Sequence, residues 1–186
     1  LLGYKQLALT DDGVLHGAVE FYERCIQKGI QPILGCTFET AWKSDASKKE
    51  MLVVYAKGSK GYESLMKLST LYQQGFTWTK EMSELIVTHS EDVKIALPPM
   101  DSEWVAAYSK GRLESVLESV KHEYPGVEIA VGITREMVER GEFDKMREGI
   151  EVAGVLPIAF SVSRYLNTTD YFPWKVLQAI RLGKTL

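Results

Sequence analysis

Residues 7–41 read LALTDDGVLHGAVEFYERCIQKGIQPILGCTFETA, and the fold is decided by how this stretch is read. An apolar run over residues 6–10 stops at two adjacent carboxylates, Asp11 and Asp12, followed by a glycine. Apolar residues then recur at helical spacing. Ala18, Val19, Tyr22 and Ile26, with Cys25 at the margin, share one face of a helix over roughly 15–28. Gly29 ends it, and residues 32–40 return to an apolar, strand-like run. The unit is strand, helix, strand. Side chains at the carboxyl end of its first strand stand at the rim where α/β folds place their chemistry.

The same alternation continues outward. Residues 44–50 are charged and small and read as a loop, whereas 51–56 are continuously apolar, as in a strand covered on both faces. Gly58 to Gly61 turn into a helix over 62–74, with Leu65, Leu68, Ser69 and Tyr72 as its inner stripe. Short strands are expected at 84–88 and 93–97, and Pro98-Pro99 breaks the chain. A helical region over 102–122 is interrupted by Gly111 and stopped by Pro125-Gly126. A strand at 127–133 follows, then a helix capped by Thr134 that runs to about residue 153. A last strand at 155–161 precedes a helix over 173–182, with Pro173 in its first turn, where the missing N–H costs nothing. About seven strands and five or six helices in alternation imply one α/β domain: a largely parallel sheet wrapped by helices, open or closed into a barrel.

Composition narrows the function classes. The 186 residues carry a formal charge of −3, with no basic stripe to track nucleic acid or an anionic membrane. No apolar run approaches the ~20 residues of a membrane span. Two cysteines, Cys25 and Cys36, form no staple pattern and suit a reducing, cytoplasmic setting. Residue 1 is leucine and the chain enters almost directly into a strand, so a piece of something longer, lacking its first element, is expected.

Residues that carry chemistry are sparse. Asp11 and Asp12 point to opposite faces if the strand continues through them. One of them can bind a metal while the other caps the helix after Gly13, or both can simply form the turn. His16 lies one turn into the helix. His89 follows an expected strand and sits beside Ser90, Glu91 and Asp92, where a metal could bind but a polar loop is the commoner explanation. His122 lies at a helix end, where positive charge complements the dipole. Cys36 sits in a buried-looking strand and reads as packing. Phosphate-cradling and nucleophile-elbow motifs are absent, and the triplet Gly183-Lys184-Thr185 follows a helix instead of preceding one.

Three blocks in order carry a resemblance. LALTDDGVLHGAVEFYERCIQKGIQPILGCTFE, LVVYAKGSKGYESLMKLSTLY (52–72) and LPIAFSVSRYLNTTDYFPWKVLQAIRLGKTL (156–186) resemble the PHP (polymerase and histidinol phosphatase) domain at the N-terminus of the alpha subunit of bacterial DNA polymerase III. The likeness runs from near residue 3 to residue 186 and is weak between Thr77 and Glu151. It implies a distorted, TIM-barrel-like β/α barrel, here incomplete at its N-terminus. It also implies a parent chain that performs DNA-templated nucleotidyl transfer in replication with magnesium, and partners in the rest of that chain, other replisome subunits and, through the parent, DNA.

Active members of that family hold three metal ions at strand ends, and the departures of this chain from their ligand set are informative. Asp11 matches the aspartate of the TDHG-type turn, but its histidine position is Asp12. The glutamate expected two residues after Gly35 is Thr37, although Glu39 on the same strand face partly substitutes. The NDVH ligands appear as Ser161-Val162-Ser163-Arg164. An arginine at position 164 repels a divalent metal and can pair with Asp11 or Asp12. The resemblance therefore implies a structural and interaction module with a degenerate metal site and no cofactor of its own. The alternative is a zinc- or manganese-dependent phosphoesterase or 3′–5′ exonuclease using Asp11, Asp12, Glu39 and His89.

Overall fold

A computed structural model describes residues 3–42, 45–75, 77–100, 102–161, 163 and 167–184, with backbone alone over 41–49. Its centre is a six-stranded sheet whose strands follow one another in chain order: β1 (Gln6–Leu9), β2 (Gln31–Trp42), β3 (Asp45–Ala56), β4 (Val93–Leu97), β5 (Glu128–Ile133) and β6 (Leu156–Ala159). β1 pairs with β2 in parallel across α1 (Ala18–Gln27), and β4–β5 and β5–β6 are likewise parallel. β3 is antiparallel to both neighbours. The sheet is thus mixed, with three parallel and two antiparallel interfaces. The reason is connection length: a parallel crossover needs a dozen or more residues, and β2 and β3 are joined too closely for one.

That hairpin corrects the loop expected at 44–50. β2 already runs through Trp42, so its unpaired edge offers a full row of backbone partners. Residues 45–50 take them, with Thr40 opposite Glu50, Ala41 opposite Lys49 and a bulge before Trp42. Charge and small size forbid burial of most of this segment, but they do not forbid a ladder.

The strand expected at 84–88 is instead the second half of helix α3 (Lys80–Thr88), which follows α2 (Gly58–Gly75). Its β-branched residues favour a strand locally, but two helical signals outweigh them. The Thr79 hydroxyl accepts from the Met82 N–H at 3.4 Å, and Met82 and Ile86, four residues apart, are fully buried. Six strands therefore stand among the described residues instead of seven. The helix expected over 134–153 is two, α6 (Arg135–Glu139) and α7 (Glu142–Val152), because Gly141 between them takes φ +66°, a left-handed conformation that ends one helix and re-aims the next. α4 (Glu103–Ser109) and α5 (Leu113–Glu123) break at Gly111 as read from sequence, and α8 (Tyr171–Leu182) closes the chain.

The core lies between the sheet and α2–α7. Phe38 and Cys36 from β2, Leu52 and Val54 from β3 and Val93, Ile95 and Leu97 from β4 meet Leu65, Leu68, Trp104 and Leu117. The Trp104 indole N–H donates to the Pro98 carbonyl at 3.1 Å, so the largest buried side chain is also satisfied. α1 departs from expectation. Ala18 and Cys25 are buried, but Val19, Tyr22 and Ile26 of the same stripe are exposed.

One buried charge needs explaining. Glu50 is 2% exposed, and its carboxylate accepts from the Glu103 N–H at 2.7 Å, tying β3 to the start of α4, while Oε1 has no partner among the described residues. Burial pushes its carboxyl up to about 7, against the helix N–H, which favours the charged form, and with the nearby Glu103 carboxylate adding to the rise. A folded-state value above the ordinary 4.5 means that the folded protein holds this proton more tightly than the unfolded chain. The contribution to stability is greatest at low pH and is lost as pH rises through about 7. Urea unfolding of the wild type and Glu50→Gln at pH 5 and pH 8 checks this. The stability difference should move toward the Gln variant at pH 8, and parallel pH curves would refute it.

Candidate functional site

The site grows from the end of β1. Beyond Leu9, whose partner is Leu34, the chain leaves regular pairing but touches β2 once more, where Asp12 faces Thr37 in a lone parallel bridge. The Thr37 N–H donates to the Asp11 carbonyl at 3.0 Å, and the Gly13 N–H donates to the Thr37 carbonyl at 2.7 Å. The Thr37 hydroxyl donates to the Thr10 carbonyl at 2.8 Å. Three bonds from one buried residue thus hold the TDDG turn against β2.

Helix α2 clamps the same turn from its other side. The Ser69 hydroxyl and the Gln73 amide donate to the Gly13 carbonyl at 2.8 and 3.0 Å. Gly13 has φ +68°, and a Cβ there would lie 2.8 Å from the Tyr72 ring. That ring packs edge-on against Phe38, with centroids 5.3 Å apart, and its hydroxyl accepts from the Glu39 N–H at 3.4 Å, so it has little room to retreat. Sequence reading placed Ser69 and Tyr72 on the inner stripe of α2 but missed Gln73. The available signal was its i, i+4 spacing from Ser69.

Asp11 and Asp12 themselves are exposed, and Glu39, two residues beyond Thr37 on the same strand face, is half-buried. Beneath them Cys36 is fully buried, its thiol 3.4 Å from the Asp11 carbonyl. Burial pushes that thiol up to about 12, with the Asp11 and Asp12 charges adding to the rise against backbone bonds from Gly13 and Thr37. A thiol held protonated in this way is a poor nucleophile. Cys36 is a packing residue, as its strand position suggested.

The other expected ligands lie elsewhere. Asp12, Thr37, Val53, Ala96, Ala130 and Leu156 form one register row across the sheet. His89 caps the carboxyl end of α3, not of a strand, and precedes β4, with Nδ1 3.8 Å from Asp92. Asp92 is four residues, about 13 Å, before Ala96 in that row, so His89 belongs to the opposite rim. The structure does not bring it to Asp11 and Asp12. His16 and His122 are exposed. Arg164, with the pairing expected for it, lies outside the described residues. Among the described residues no three or more His, Cys, Asp or Glu side chains converge as a metal cluster. The Gly183-Lys184 pair ends α8, where the Lys184 N–H donates to the Ala179 carbonyl at 2.9 Å, a helix stop and not a phosphate loop.

A curled mixed sheet backed by helices, with a polar turn at a strand's carboxyl end, defines an α/β fold of the TIM-barrel type. A solved amidohydrolase from Chromobacterium violaceum, with bound sulfate and no metal, shares it at a TM-score of 0.50 over 92% of this chain and 86% of that one, a likeness of fold alone at 11% identity. The profile of the PHP domain family matches residues 1–149, and the chain belongs to that family. DNA polymerase III alpha subunits are its relatives. The one from Halalkalibacterium halodurans is 31% identical over 97% of this chain, that of Aquifex aeolicus 28% over 99%, and that of Chlamydia pneumoniae 26% over 99%. The chain spans only 16–18% of the length of these relatives and is homologous to their N-terminal region.

The clamp makes a stability prediction. Gly13→Ala meets both left-handed strain and the Tyr72 ring and should cost on the order of 3 kcal/mol. Gly29→Ala has φ +65° but open space around it and should cost about 1 kcal/mol. Denaturant midpoints of the two variants measure the difference, and equal losses would show that the Tyr72 contact carries nothing.

Proposed function

We propose that this chain is the PHP module of a bacterial DNA polymerase III alpha subunit, a structural and interaction domain with a degenerate metal site. The observation that carries this reading is the match to those subunits over 97–99% of the chain. The longer protein would extend DNA on a template, using magnesium held outside this region, in the cytoplasm and within a replisome. No helix among the described residues is long and apolar enough to cross a membrane.

The donor chemistry supports degeneracy. Where the family's pattern calls for a carboxylate, the Thr37 hydroxyl donates to the Thr10 carbonyl and holds the turn. Cys36 is buried among core residues, and the imidazole expected at position 12 is a second carboxylate beside Asp11. Two adjacent, solvent-facing carboxylates do not fit a centre of three metal ions, which needs several donors converging from different strands. The residues present serve the fold: Thr37 and Gly13 bind the turn, and Asp11 and Asp12 remain in water.

Metal content and 3′–5′ hydrolysis of DNA by the full polymerase chain test this. Replacing Asp11 and Asp12 together by Asn should change neither zinc nor manganese stoichiometry nor any nuclease activity, and primer extension should persist. Loss of one or more metal equivalents together with hydrolysis would overturn the degenerate reading and assign a PHP-type phosphoesterase built on Asp11, Asp12 and Glu39.

A further inference from the structure

The apolar stripe of α1 runs along one face of the helix, yet most of it faces water. Val19, Tyr22 and Ile26, at i, i+3 and i+7, are 63%, 47% and 56% exposed. Two of them form one wall of a groove of about 570 Å³. Pro32 and Leu34 of β2 lie at its floor, and Tyr62 of α2 lines it opposite; Glu23 is its single charged lining residue. A helix with so marked an apolar face normally buries it, and isolated apolar residues on a surface do not align in this way.

We infer that this groove is the seat of an apolar helix face from the remainder of the same polymerase polypeptide. The inference rests on the module reading and deepens it by naming the surface. Four arguments fix the occupant. The relatives leave more than four-fifths of their length outside the region this chain matches, since it covers 16–18% of them. A segment tethered to the module meets the groove at about millimolar effective concentration, which a second copy or a separate subunit does not reach. A trough between two helices also accepts the side-chain ridge of a third at an ordinary interaxial distance of about 8–10 Å. Finally, a floor and walls almost free of charge suit a permanent interface, because partners that come and go meet on more polar surfaces.

The test places a photoreactive benzoylphenylalanine at position 22 of the full-length polymerase chain, with the same residue at position 20 as control. Glu20 is exposed and engages Arg24 along the helix, away from the groove. On irradiation, position 22 should crosslink within one chain, to a peptide outside the region covered by these residues, and position 20 should not. Crosslinking to a second copy, to another protein or only to solvent, or equal yields at both positions, would overturn the inference. Primer extension by the same preparations separates the two readings: a chain that extends primers but fails to crosslink loses only the groove, whereas one that extends none loses the module reading itself.

Discussion

Thr37 makes the bonds on which the upper part of the molecule depends. Its N–H, carbonyl and hydroxyl all engage the three residues that follow or precede the end of β1, so a strand that has finished regular pairing is still held in register with its neighbour. In a parallel pair the bonds are slanted and somewhat weaker per residue, and β1 is short and mostly exposed. Without this extension it would be an edge strand of four residues with little to retain it. The extension also fixes Gly13 where Ser69 and Gln73 of α2 reach its carbonyl. The helix after β3 therefore grips the turn through one backbone carbonyl, beside the contacts of Tyr72 with Phe38 and Glu39 of β2.

This arrangement explains how the turn keeps its shape through backbone bonds of its own. The features that make TDDG recognisable (the positive φ at Gly13 and the close approach to β2) belong to its backbone. The two carboxylates, Asp11 and Asp12, are exposed, and the bonds that hold the turn run through the backbone and Thr37. The threonine at position 37 supplies a hydroxyl that bonds within the sheet, whereas a carboxylate there would seek a cation.

The first unit was legible in the sequence because its signals agree. Apolar runs, helical spacing and turn glycines all point to strand, helix, strand, and the structure has them. Legibility failed where signals conflict. Residues 84–88 are β-branched enough to suggest a strand, but the Thr79 cap and the Met82–Ile86 spacing belong to a longer helical window. Residues 45–50 look like a polar loop, and their strand is imposed by pairing with Thr40, Ala41 and Trp42 of β2, which no local pattern reports. His89 was misplaced as a consequence of the first error, since a residue thought to end a strand turned out to end a helix on the other rim. The half-exposed stripe of α1 was read correctly as a stripe, but periodicity cannot say which partner covers it.

The antiparallel β3 has a kinetic meaning as well. Its pairing with β2 begins at Trp42 and Asp45 and zips along neighbours close in sequence, so very little loop entropy stands against it. The parallel pairings of β1 with β2 and of β4 with β5 must wait for an intervening helix to form and dock, a slower search. In a fold whose all-parallel version would offer no such local start, this ribbon gives the chain a place to nucleate. The two strands bring Phe38, Leu52 and Val54 together at the outset, and the helices condense upon them.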